Sequence, residues 1–152
     1  MTIRHATLTL VLACLATATA CSSDDTSTPP ASVPPTPAAP ASIGVTPSAG
    51  RDILTDKAGK SLYVFAKDTP GTSACVGECL TKWPALPGPV IAGPGVTAGL
   101  ITTLTRPDGT TQAAYAGKPL YYFAADSAPG DTRGQGLMGA WHLIAPDGQP
   151  VP

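Results

Sequence analysis

The chain has 152 residues, of which 43% are hydrophobic, 12% charged and 5% aromatic, enough for one small domain with appendages and too little for two independent cores. Nine Lys and Arg against ten Asp and Glu give a formal net charge of -1, which leaves no basic excess to neutralise a phosphate backbone, so nucleic-acid binding is not expected. With 16 Gly, 18 Pro and no Asn, long helices are disfavoured and turns must rest on Gly, Asp and Pro.

Residues 1–20 carry the three parts of an export signal: a short head made positive by Arg4 and the amino terminus, an apolar stretch over residues 6–18, and the small residues Ala18, Thr19 and Ala20 ahead of Cys21. The apolar stretch is far shorter than the roughly 20 residues that a permanent spanning helix needs. Small residues leading into a cysteine resemble the lipobox of bacterial lipoproteins. That resemblance implies Cys21 as the mature N-terminus, carrying a diacylglycerol thioether and acyl chains such as palmitate. Each buried methylene contributes about 0.8 kcal/mol, so two or three chains hold a protein at a membrane surface. The competing reading is plain secretion with Cys21 left as a free thiol.

Residues 22–48 consist mostly of Ser, Thr, Pro, Ala and Asp, with seven prolines and no aromatic residue. Such a segment buries too little apolar surface to offset the entropy of ordering, so residues 21–48 read as a lipidated cysteine followed by a disordered tether. All eight aromatic residues lie between Tyr63 and Trp141, which places the core in residues 49–152.

That region contains an internal repeat. Gly59-Lys60-Ser61-Leu62-Tyr63-Val64-Phe65-Ala66-Lys67-Asp68 matches Gly117-Lys118-Pro119-Leu120-Tyr121-Tyr122-Phe123-Ala124-Ala125-Asp126 at an offset of 58 residues, an offset that Trp83 and Trp141 also keep. Repeat 1 spans about 49–90 and repeat 2 about 100–152, and neither is expected to close its core alone. In chain order, a strand around residues 52–55 turns at Lys57-Ala58-Gly59-Lys60 into the first aromatic strand. There Tyr63 and Phe65 share one face while Leu62 and Val64 occupy the other. Residues 84–99 are too rich in Pro and Gly for a regular element and read as a connector. Strands over 100–105 and 110–115 flank the Arg106-Pro107-Asp108-Gly109 turn. Ala116-Gly117-Lys118 then leads into the second aromatic strand, and residues 140–145 form the last strand. The expected fold is all-β, a compact antiparallel meander built from two related repeats.

These residues resemble the bacterial secreted-repeat lipoproteins with a tyrosine, any, aromatic, any, any, aspartate motif, present here as Tyr63 to Asp68 and Tyr121 to Asp126. The likeness extends to the Cys75 and Cys79 pair, Trp83-Pro84, Asp108-Gly109-Thr110 and Gly130-Asp131-Thr132. It implies an envelope lipoprotein and assigns no molecular activity. Repeat 2 lacks the cysteine pair, so the two halves are not equivalent.

Candidate chemistry is sparse. Outside the cytoplasm, a disulfide between Cys75 and Cys79 is the default reading, with a redox-active or metal-binding pair as the sharper one. Met138 and His142 offer soft-sulfur and imidazole ligands that suit copper or haem iron, but the ligand set is incomplete. Asp68 and Asp126 invite a paired-carboxylate reading. Short acceptors at strand ends beside Pro-Gly more readily close Asx-type turns. Gly59-Lys60-Ser61 lacks the earlier Gly of a phosphate-binding loop, and no Gly-x-Ser-x-Gly elbow serves a Ser nucleophile. The expectation is a non-catalytic binding or structural module of the cell envelope with no cofactor beyond the lipid on Cys21. Its partners would be the membrane, through that lipid, and an envelope protein or small ligand. The alternative is redox or metal handling through the cysteine pair.

Overall fold

The computed structural model describes residues 41–152; the export signal, Cys21 and residues 22–40 of the expected tether lie outside the described residues. The ordered chain begins earlier than its composition implied. Strand β1 (Ala41–Ser48) occupies positions assigned above to the tether and pairs antiparallel with β2 (Arg51–Asp56), from Ile43↔Asp56 to Ser48↔Arg51. The cause is local. Ile43 is fully buried, and Ala49-Gly50 supply the two positive φ angles, 47° and 79°, that a two-residue hairpin turn requires. Pro47 is tolerated because it lies beyond the three residues of β1 that pair with another strand on the opposite edge.

The remaining elements are β3 (Tyr63–Phe65), the one-turn helix α1 (Cys79–Lys82), β4 (Val90–Ala92), β5 (Ile101–Thr105), β6 (Thr111–Tyr115), β7 (Lys118–Pro119) and β8 (Trp141–Leu143). They form three small sheets in the orders β2-β1-β4, β3-β8 and β5-β6-β7, so the all-β, two-repeat expectation holds. The connector differs from its expected irregular form, because β4 lies within it and pairs parallel to β1 from Ala41↔Val90 to Ile43↔Ala92. Val90 buries its side chain there, and the Gly93 N–H donates to the Ile43 carbonyl at 2.7 Å. The second aromatic strand is shorter than its repeat partner. Beyond β7 the extended chain makes single bridges, from Tyr121 to Tyr63 of β3 on one side and to Ala85, outside any strand, on the other.

The two repeats are woven into each other. Tyr63 and Tyr121 exchange both backbone bonds, N–H to C=O, at 2.9 Å each. Phe65 pairs with Trp141 in the β3–β8 ladder. One turn further, Ala66 N–H donates to Ala140 C=O at 2.7 Å, and its counterpart 58 residues on, Ala124, donates to Lys82 C=O at 2.9 Å. Leu54 N–H reaches Ile144 C=O at 2.8 Å, while Ala113 N–H reaches Leu86 C=O at 2.9 Å. Apart from the central Tyr63–Tyr121 pair, each of these contacts joins an earlier segment of one repeat to the closing segment of the other, giving an approximate two-fold exchange. Both core clusters draw on both repeats: Leu54, Leu62 and Leu86 pack with Leu120 and Ile144, and Tyr63 and Trp83 pack with Tyr121 and Trp141.

Cutting the chain in the connector leaves the β1–β2 and β5–β6 hairpins whole but separates β3 from β8 and divides both core clusters. Residues 41–92 and 93–152, prepared as separate polypeptides, are expected to remain unfolded alone and to recover the strand signature in circular dichroism when mixed in equal amounts. A cooperative thermal transition in either half by itself would contradict the exchange.

Candidate functional site

The repeat motif residues meet at the axis of this exchange, and they meet crosswise. The Tyr63 hydroxyl donates to Asp126 Oδ2 at 2.6 Å, and the Tyr121 hydroxyl donates to Asp68 Oδ2 at 2.8 Å. Each tyrosine thus holds the aspartate of the opposite repeat. The second oxygen of each carboxyl closes its own loop: Asp68 Oδ1 accepts from Ala74 N–H at 2.7 Å and Asp126 Oδ1 from Arg133 N–H at 3.0 Å. The turn-closing role expected of the two aspartates is present, joined to an inter-repeat role that sequence spacing does not reveal. The two carboxyls serve separate tyrosines.

Four rings stack through the centre in the order Phe65, Trp141, Trp83, Phe123. Centroid separations are 4.3, 3.7 and 4.4 Å, with the two indoles only 2° from parallel. Tyr63 stands edge-on to Trp83 at 5.4 Å and Tyr121 edge-on to Trp141 at 5.2 Å, the same arrangement in each half. Pairs of this kind contribute about 0.5–1.5 kcal/mol each beyond their area burial. Gly134 lets the chain pass over this centre, since a Cβ there would lie 2.8 Å from the Tyr63 ring and 2.9 Å from Trp83. Its N–H donates to the Tyr63 hydroxyl at 3.2 Å.

Half of this frame is braced differently from the other. Cys75 and Cys79 form a disulfide, with Cys75 fully buried. Arg106, only 4% exposed, extends from the β5–β6 turn into the cysteine loop. Its guanidinium donates to Ser73 Oγ at 3.0 Å, to the Cys75 carbonyl at 2.6 Å and to the Gln112 side-chain oxygen. The Ser73 hydroxyl also lies 2.7 Å from the Tyr121 hydroxyl, so Arg106, Ser73, Tyr121 and Asp68 form one buried polar chain. Arg106 was not among the sequence candidates; counted as one charge among eight basic residues of the domain, it carried no local signal.

Electrostatics follow burial. The Asp68 carboxyl is pushed above the usual range by desolvation, offset in part by the Ala74 amide, the Tyr121 hydroxyl and Arg106. Burial, with Asp68 beside it, pushes the Tyr121 phenol up to about 12, and burial together with Asp126 raises Tyr63 further still. Tyr122 is raised by burial and by Asp56, whose Oδ2 accepts its hydroxyl at 3.1 Å.

Two clefts flank the ring stack, each of about 360 Å³. One is lined by Val64, Phe65, Asp68, Pro70, Lys118 and His142, with the His142 Nδ1 3.2 Å from the Val151 carbonyl. The other is lined by Trp83, Phe123, Leu137 and Met138, with Lys82 at its edge. Met138 and His142, paired at the sequence level as candidate metal ligands, line different clefts. No cluster of three or more His, Cys, Asp or Glu suited to a metal occurs among the described residues. Cys21, the expected lipidation site, lies outside them.

The family described as a secreted repeat of unknown function matches the chain twice, over residues 45–86 and 102–145, which are the two halves related by the exchange. The chain belongs to this family. Searches of curated proteins and of solved structures return no match.

Two measurements test the crosswise pairing. In double-mutant cycles, Tyr63→Phe with Asp126→Asn is expected to show a coupling of about 1–3 kcal/mol, whereas Tyr63→Phe with Asp68→Asn adds nearly independently. A reversed pattern would place the bonds within each repeat. The raised phenols also set an alkaline limit. A group whose folded pKa exceeds its unfolded value stabilises fully below the unfolded value, about 10 for tyrosine, and loses that contribution as pH rises through the folded one. Stability is therefore expected to fall from about pH 10 toward the Tyr121 value of about 12. Phenolate absorbance from Tyr63, Tyr121 and Tyr122 should appear together with loss of the circular-dichroism signal, not before it.

Proposed function

We propose that this member of the secreted-repeat family is an extracytoplasmic lipoprotein, held at a bacterial membrane by diacylglycerol on Cys21, whose two-repeat domain is a non-catalytic binding or structural module. The observation that carries the reading is the crosswise use of the motif: the Tyr63 and Tyr121 hydroxyls and the Asp68 and Asp126 carboxyls, the groups best suited to acid–base work, are engaged with one another and with loop amides. Side chains spent in this way make a frame, and what they frame is a pair of clefts at its edge. Location is supported independently. A disulfide between Cys75 and Cys79 suits an oxidising compartment. Among the described residues no helix is long and apolar enough to cross a membrane, which fits attachment through a lipid on the N-terminal side of the domain.

The anchor and the binding role are tested separately. Cells expressing the wild-type chain should incorporate labelled palmitate into it, and Cys21→Ala should abolish the label and release the protein from the membrane fraction. An unlabelled wild-type chain refutes the anchor. Labelled Cys21→Ala protein should rebind saturably to envelopes that lack it, and absence of saturable rebinding refutes the binding role.

A further inference from the structure

The two-fold exchange provides an internal standard against which the second cleft stands out. At the offset of 58 residues, Leu137 and Met138 correspond to Cys79 and Leu80. In repeat 1 those positions begin helix α1, where Cys79 and Leu80 are partly buried against the aromatic core and the disulfide ties the segment down. In repeat 2 the segment instead forms a 3-10 turn, Leu137–Gly139, that leaves Leu137 38% and Met138 81% exposed. The same fold half-buries one pair of apolar side chains and presents the other.

That presentation is held in place against a conformational cost. Met138 sits at φ 55° and ψ 19°, in the left-handed region that a non-glycine residue seldom occupies. The turn is fixed by Gly136 N–H donating to the Trp141 carbonyl at 2.8 Å and by Ala140 N–H donating to that of Leu137 at 3.1 Å. The flexible, polarisable Met138 side chain thereby becomes one wall of a cleft of about 360 Å³, with Trp83 and Phe123 from the ring stack also lining it. This volume lies within the range of small-molecule sites, about 300–1,000 Å³. Of the residues lining it only Lys82 is charged, and among the described residues no carboxylate forms an ion pair with Lys82. The matching position in repeat 2 is Ala140, which is buried, so this ammonium has no counterpart at that position, and the lysine of the other cleft, Lys118, donates instead to the Gly148 carbonyl at 3.1 Å.

We infer that the cleft between Trp83, Phe123 and Met138 is a binding site for a small amphiphilic anion, its apolar body against the rings and Met138 and its single negative group at Lys82. This inference rests on the binding role proposed above and names the ligand class for it. Apolar surface in the cleft supplies most of the affinity, and the exposed lysine selects charge.

The test uses the full-length Cys21→Ser chain, which needs no detergent, and two fluorescent probes of similar shape: anilinonaphthalene sulfonate, an anion, and phenylnaphthylamine, which is neutral. Both should bind at one site. Met138→Asp, at an exposed position, should leave the melting temperature near that of the parent and weaken both probes by about tenfold, as expected for losing one apolar contact surface. Lys82→Ala should weaken the sulfonate by about two- to fivefold and leave the neutral probe unchanged. His142→Ala, in the other cleft, should change neither. Probe binding that survives Met138→Asp, or is lost in His142→Ala, overturns the site while leaving the binding role standing. Equal effects of Lys82→Ala on both probes overturn the preference for an anion. Sedimentation with anionic phospholipid vesicles that depends on Met138 when neither probe binds would make the turn a membrane contact instead and overturn the inference. Probe binding as expected, with no saturable rebinding to envelopes, would separate this site from the broader role.

Discussion

The exchange of hydrogen bonds between Tyr63 and Tyr121, backbone to backbone and each side chain to the other repeat's aspartate, is the constraint on which the rest of the domain depends. A small β domain with eight aromatic residues and, among the described residues, mostly short strands has little area with which to offset chain entropy. Weaving two halves together concentrates the burial. Each of the four stacked rings then contacts a ring of the other repeat, and β3 and β8 find in each other a partner that their own repeats do not provide. Because buried polar groups are costly when unpaired, the crosswise tyrosines and aspartates also set the register: a slip of either strand would strand a hydroxyl and a carboxyl together.

Symmetry is broken in two places, and both have a physical reason. In repeat 1 the loop after Asp68 is long and poor in regular structure, and it is held by a disulfide and by the buried guanidinium of Arg106. Taking that charge out of water is offset by three acceptors, one of which, the Ser73 hydroxyl, leads to the Tyr121–Asp68 pair. In repeat 2 the equivalent loop dispenses with cysteines and relies on Asp126, on Asp131 accepting from Ser127 and Ala128 N–H, and on Gly134 packed against the rings. The segment that follows is free of the disulfide and turns Leu137 and Met138 outward.

This division of labour bears on function. Groups that look catalytic in a linear sequence, two aspartates each five residues from a tyrosine, serve as the fastening of the frame. Under the proposed binding role, recognition falls to the periphery, where clefts lie against the ends of the ring stack. The cysteine pair likewise belongs to the frame, because Cys75 is buried and its carbonyl is an anchor for Arg106.

The sequence by itself determined the class of the fold and its duplication. Alternating rings, Gly and Asp turns and a constant offset are local or periodic signals, and strands β2, β3, β5, β6 and β8 lie close to where those signals put them. Local composition failed where an average concealed a short element. Ile43 and Val45 made a strand at the end of a Pro-rich stretch, and Val90 made another inside the connector. Only the tertiary structure decided which repeat partners which, because a 58-residue offset is equally compatible with pairing inside a repeat and pairing between repeats. The same holds for Arg106 and Met138, one buried and the other exposed against the usual habit of their residue types. Burial depends on what the rest of the chain brings alongside a residue, and neighbours distant along the chain leave no mark on the residues next to it.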